Sequence, residues 1–132
     1  MGSELNFILS DIGQIAVTVQ DLDLAIEFYR EKLGAPFLFQ VPNLAFFDCH
    51  GIRLMLGLPE SPGAGSVNSV IYFKVADIEN AYQTLTDRGV PFTDDPHIVA
   101  KMSDHDLWMA FFRDPDGNNL ALMSEKQLEV EK

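Results

Sequence analysis

Apolar residues at Leu22, Ala25, Ile26, Tyr29 and Leu33 recur at helical spacing and form one stripe. The stripe begins after Asp21, whose carboxylate suits the free N–H groups of a first helical turn. It stops at Gly34, which fits a left-handed helix end, and Pro36, which cannot continue a helix. Before it, the β-branched run Ile15 to Val19 predicts a strand. The same grammar returns with Asp77, 56 positions after Asp21. Strand Val70 to Val75 precedes the cap, Ile78, Ala81, Tyr82 and Leu85 form the stripe, and Gly89 and Pro91 end it. Self-similarity at this period means one supersecondary unit used twice, with the functional site expected where the copies meet.

Each predicted helix is followed by three short strand candidates. They are Pro36–Val41, Leu44–Cys49 and Ile52–Leu58, then His97–Lys101, Leu107–Arg113 and Asn119–Ser124. Asn43, His50-Gly51 and Asp114-Pro115-Asp116-Gly117-Asn118 supply turns, the last by pairing a fixed Pro φ with a permissive Gly. The order is βαβββ twice, an α+β fold within a single domain spanning residues 1–132. Unit 1 covers about 12–58, a Pro/Gly/Ser linker 59–69, unit 2 about 70–124. The charged tail 125–132 is expected to fray or form a short helix.

Composition narrows the function classes. A net charge of −11 repels phosphate backbones and argues against nucleic acid, while leaving room for a small ligand whose local site opposes the global field. No apolar run approaches the roughly 18 residues that cross a bilayer, and no basic-then-apolar leader opens the chain. The single Cys49 cannot form an intrachain disulfide, so a cytoplasmic protein is expected. Phosphate loops, serine-hydrolase elbows and dinucleotide fingerprints are missing from the sequence.

Few residues carry chemistry on their face. Asp48 and His50 would share a face on a strand, although Gly51 marks that place as a turn. His97 and His105 are the candidates for proton transfer, each with solvated or capping roles as the alternative. Phe46, Phe47, Trp108, Phe111 and Phe112 lie on strand candidates, where alternation sends about half to a cavity and half to a core. Trp108 is the first candidate for stacking on a ligand, with core packing as its alternative. Cys49 reads as a small buried hydrophobe.

The strings VQDLDLAIEFYREKLG, VADIENAYQTLTDRGVPF and FFRDPDGNNLALM, within residues 12 to 124, resemble the vicinal oxygen chelate superfamily. That superfamily includes glyoxalases, bleomycin-resistance proteins and extradiol dioxygenases. The resemblance implies tandem βαβββ units forming a curved mixed sheet around a cavity, commonly closed by pairing of two chains. Metal-dependent members place four ligands, His, Glu or Gln, on the first and fourth strands of each unit. Those positions fall here on Gln14, Met55, Val70 and Ala121. Gln14 is the only remaining chelate-type residue, and one neutral amide does not hold a divalent cation.

Two functions follow as expectations. The first is a homodimeric protein binding a small, partly apolar molecule in a metal-free cleft, with Gln14, Phe46, Met55, Val70, His97, Trp108 and Ala121 as the ligand-binding set and no cofactor. The second is a glyoxalase-like lyase, isomerase or dioxygenase that uses a divalent metal, with His97 or His105 moving the proton.

Overall fold

A computed structural model describes residues 7, 9, 11–59 and 68–128. The chain forms strand β1 (Gln14–Thr18), helix α1 (Leu22–Glu27) and strands β2 (Phe37–Val41), β3 (Leu44–Cys49) and β4 (Ile52–Gly57). It then repeats as β5 (Ile71–Lys74), α2 (Ile78–Asp87), β6 (His97–Lys101), β7 (His105–Arg113) and β8 (Asn119–Gln127). Both units fold to the same topology, strand order β1-β4-β3-β2 and β5-β8-β7-β6. In each, the first strand runs parallel to the fourth and the hairpin strands run antiparallel. The curved sheet is thus two mixed four-stranded sheets, with β1 and β5 as their inner edges.

The caps work as their sequence predicts. Asp21 Oδ1 accepts from Leu24 N and Asp77 Oδ1 from Asn80 N, both at 3.1 Å. Gly34 and Gly89 end the helices with φ of 77° and 89°. Replacing Asp77 with alanine should lower stability by about 1 kcal/mol, measured as a lower urea midpoint at unchanged m-value.

One feature of α1 was not legible: after Glu27 it widens into a π-helix over Phe28–Lys32. The extra residue per turn lets both Phe28 and Tyr29 reach the core, their rings edge to face at 5.5 Å. The tail expectation needs correction. Strand β8 continues to Gln127, pairing Glu125 with Leu107 and Gln127 with His105. Strand β7 correspondingly begins at His105, because the ladder satisfies backbone groups that a frayed tail would leave to water. Most of the linker, 60–67, and the last residues, 129–132, lie outside the described residues.

Alternation sorts the strand side chains. Val17, Ala45, Phe47, Leu54, Leu56, Ala110, Phe112, Leu120 and Leu122 face the helices and make one core that spans both units. The opposite faces carry Gln14, Ala16, Phe46 and Met55 in unit 1, and Tyr72, Phe111, Met109 and Ala121 in unit 2, as the register shows.

A polar seam joins the units. Asn68 Oδ1 accepts from Thr18 N at 3.2 Å and Asn68 Nδ2 donates to Thr18 O at 3.1 Å. A single carboxamide thus covers the free backbone pair of edge strand β1. Asn118, Asp116 and Asp114 extend the seam: Gln20 N donates to Asp116 Oδ1 at 2.7 Å, and Tyr29 Oη donates to buried Asp114 Oδ2 at 2.9 Å.

Candidate functional site

The sheet faces turned away from the helices form the site. Strands β1 and β5 flank a cleft lined by Gln14, Ile15, Ala16 and, across from them, Ser69, Val70, Ile71 and Tyr72. Gln14 Nε2 lies 3.9 Å from Met55 Sδ, so Met55 sits beside the same cleft. Ala121 is paired with Tyr72 on β5 and with Phe111 on β7. The rings of Tyr72 and Phe111 meet edge to face at 6.0 Å, and the Ala121 methyl beneath them is fully buried. Gln14 and Val70 border this cleft, Met55 adjoins Gln14, and Ala121 lies beneath Tyr72.

Their donor set is an amide, a thioether, an isopropyl and a methyl. A hard or borderline divalent cation needs several oxygen or nitrogen donors, so these residues do not fit one. Among the described residues, no group of three or more His, Cys, Asp or Glu side chains could replace them.

The surroundings suit apolar, aromatic contact instead. Phe39 and Phe46 stack at 4.7 Å, and the Arg53 guanidinium lies 5.6 Å from the Phe46 centroid. Arg53 is opposite Gln14 in the β1–β4 register, which places a cation and an amide together at one end of the cleft. Met109 and Met123 are directly opposed on the unit 2 face and supply soft, adaptable surface.

Other candidates sit elsewhere. Trp108 requires correction: it shares the helix-facing side with Ala110 and Phe112 and packs against the core. Its ring is covered by Lys126 Nζ at 4.0 Å, and its Nε1 is buried without a partner. The period-two alternation from Phe112 decides for core packing, the alternative role. His97 is exposed on the outer strand β6, its Nδ1–H donating to the Asp95 carbonyl at 2.8 Å. His105 stands at the start of β7 with Nδ1 2.7 Å from Asp104 Oδ1, a contact that holds the Asp104 carboxyl below its ordinary range. Neither histidine lines the cleft of Gln14 and Val70. His50 is an exposed turn residue at φ 55°, and Asp48 accepts from Gly51 N there. Cys49 is half-buried on the core side, and burial, with Asp48 beside it, pushes its thiol up.

Sequence reasoning missed Tyr72, Phe39 and Arg53. Tyr72 was within reach, because it lies two residues after Val70 on the same strand face. Phe39 was not, because the register shifts between Phe37 and Phe39 break the period that would have placed it.

The model of the Glyoxalase/Bleomycin resistance protein/Dioxygenase superfamily matches residues 11–122. The chain belongs to that superfamily. Among curated relatives of this superfamily member, uncharacterized protein YurT of Bacillus subtilis is 33% identical over 126 residues, covering 83% of this chain and 95% of that one. Metallothiol transferase FosB of Staphylococcus haemolyticus is 30% identical over 121 residues, covering 86% of this chain and 83% of the relative. A superfamily structure from Sphaerobacter thermophilus superimposes with a TM-score of 0.72 at 30% identity, covering 89% of this chain and 98% of that one. The superfamily fold accounts for the repeated topology, the inner-edge strands and the cleft between them. It leaves the chemistry to the residues in that cleft.

Proposed function

We propose that this superfamily member binds a small, partly apolar molecule in the cleft between β1 and β5 without a metal. One observation carries the reading: of the four chelate positions, three are Met55, Val70 and Ala121, and Gln14 and Val70 border the cleft. Aromatic pairs on both sheets supply the contact area, and Gln14, Arg53 and the Tyr72 hydroxyl supply orientation. Elemental mass spectrometry on untagged protein incubated with Ni²⁺, Zn²⁺, Mn²⁺ or Fe²⁺ and then desalted tests it. The expected retention is below about a tenth of an equivalent, since no site offers enough donors. One equivalent per cleft would overturn the reading. It would move forward the metal-dependent lyase, isomerase or dioxygenase reading, which the likeness to FosB supports.

The functional unit in this proposal is a homodimer in the cytoplasm. The two outer strands motivate the dimer. Leu38, Phe39 and Val41 on β2, and Ile98 and Val99 on β6, leave over a third of their surface open to water. Apolar surface of that extent needs a cover. Light scattering should give about twice 14.8 kDa. A mass near 14.8 kDa at all concentrations would sink the dimer.

A further inference from the structure

The two units repeat one topology, and among the described residues the seam that closes one junction has no counterpart at the other. Thr18 and Lys74 are matched positions, 56 apart. Val19 N donates to Gly57 O, so the Thr18 N–H and C=O point to the free edge of β1, where Asn68 covers them. Val75 N donates to Met123 O, so by the same alternation the Lys74 N–H and C=O point to the free edge of β5. No described side chain bonds to them. The residue matching Asn68 is Ile12, which is 62% exposed and has no amide to offer.

The side chains differ in the same sense. Tyr29, which reaches Asp114, is matched by Leu85, which has no hydroxyl. The five-residue turn Asp114–Asn118 is matched by the two-residue turn His50–Gly51. A shorter turn and a shorter side chain leave a cleft of about 1140 Å³ beside β5. Its walls are mostly apolar, from Ile71, Phe73 and Leu85, and Asp48, Lys74, Arg88, Thr84 and Cys49 also border it. It opens toward α2 on the helix side and adjoins the Gln14–Val70 cleft, sharing Ile15, Ile71 and Tyr72 with it.

We propose that this second cleft is a binding site for a small apolar molecule that carries a carboxamide. The ligand's carbonyl accepts from the Lys74 N–H and its N–H donates to the Lys74 carbonyl, as the Asn68 amide does at Thr18. The apolar body fills the space that Tyr29 and the longer turn occupy at the other junction.

The test uses 3-phenylpropanamide, with methyl 3-phenylpropanoate as a match lacking the N–H. Two readouts apply: the amide ¹H–¹⁵N shift of Lys74, and protection of Cys49, the one cysteine of the chain, from alkylation. The amide should move the Lys74 resonance, slow alkylation, and bind about tenfold more tightly than the ester. Ile12→Asn should weaken amide binding about tenfold by supplying the missing internal amide. This variant changes an exposed residue, so folding is not at stake. Thr84→Trp, which fills the cleft, should abolish binding. Equal affinity for amide and ester, absence of binding by both, or amide binding undiminished in Ile12→Asn and Thr84→Trp would each overturn the proposal.

Discussion

Asp114→Ala is expected to cost about 4 kcal/mol of folding stability, the largest loss foreseen for a single polar side chain here. Asp114 is 4% exposed and its two oxygens accept from four donors. These are Tyr29 Oη at 2.9 Å, Asp116 N at 2.9 Å, Asn118 N at 2.8 Å and Asn118 Nδ2 at 2.8 Å. Alanine removes the acceptor and leaves the donors without partners in a site that admits little water. Tyr29→Phe should cost less, about 1.5 kcal/mol, because it removes one donor and keeps the ring packed. Urea denaturation of both single variants and the double variant checks this. A double-variant loss equal to the sum of the singles would show that the two side chains act independently and would defeat the seam as a unit.

The same contact makes stability depend on alkaline pH. Burial, then the neighbouring Asp114 carboxylate and its hydrogen bond, raise the Tyr29 hydroxyl far above its ordinary value of 10.0. A raised folded value means that the contribution is fully present below the unfolded value. It is lost as pH climbs above about 10, where the unfolded chain releases a proton that the folded chain keeps. Tyr29 alone should therefore give a decline of about 1.4 kcal/mol per pH unit beyond pH 10. Tyr29→Phe should flatten that part of the profile. An unchanged slope in the variant would count against it.

The second large effect concerns the cleft. The triple variant Met55→Glu, Val70→His, Ala121→Glu, with Gln14 kept, should retain about one equivalent of Ni²⁺ or Zn²⁺ and gain affinity by roughly a thousandfold or more. Gln14 and Val70 border one cleft, Met55 touches Gln14, and Ala121 neighbours Tyr72. On the proposed site, donors restored at these positions complete a cage. Ala121 is the costly step, because a carboxylate there must displace the Tyr72–Phe111 pair. The metal-free variant should be less stable by about 3 kcal/mol, and added metal should recover the loss through binding to the folded state alone. A folded triple variant that holds no metal would show that these positions do not form one site.

Asp21 and Asp77 were legible as caps, and Gly34 and Gly89 as stops, because each acts on backbone groups within four residues of itself. Gln14, Met55, Val70 and Ala121 were legible as one set only through the family's pattern, since they come from four strands spread over the chain. Trp108 was legible as either a stacking or a core residue, and strand parity with Ala110 and Phe112 places it against the core. Phe39 and the π-helical turn at Phe28–Lys32 were beyond reach, since a one-residue slip in register or helix pitch leaves no mark in composition.

By itself, the sequence determined the repeated βαβββ order and the helix ends. Those depend on local backbone preferences and on residue identity, which one chain position after another declares. Only the tertiary structure decided which strand faces meet across the cleft between β1 and β5. It also decided that Asn68 covers Thr18 and that a second cleft borders β5 and α2. These are contacts between residues tens of positions apart, set by how two nearly equal units pack into one core.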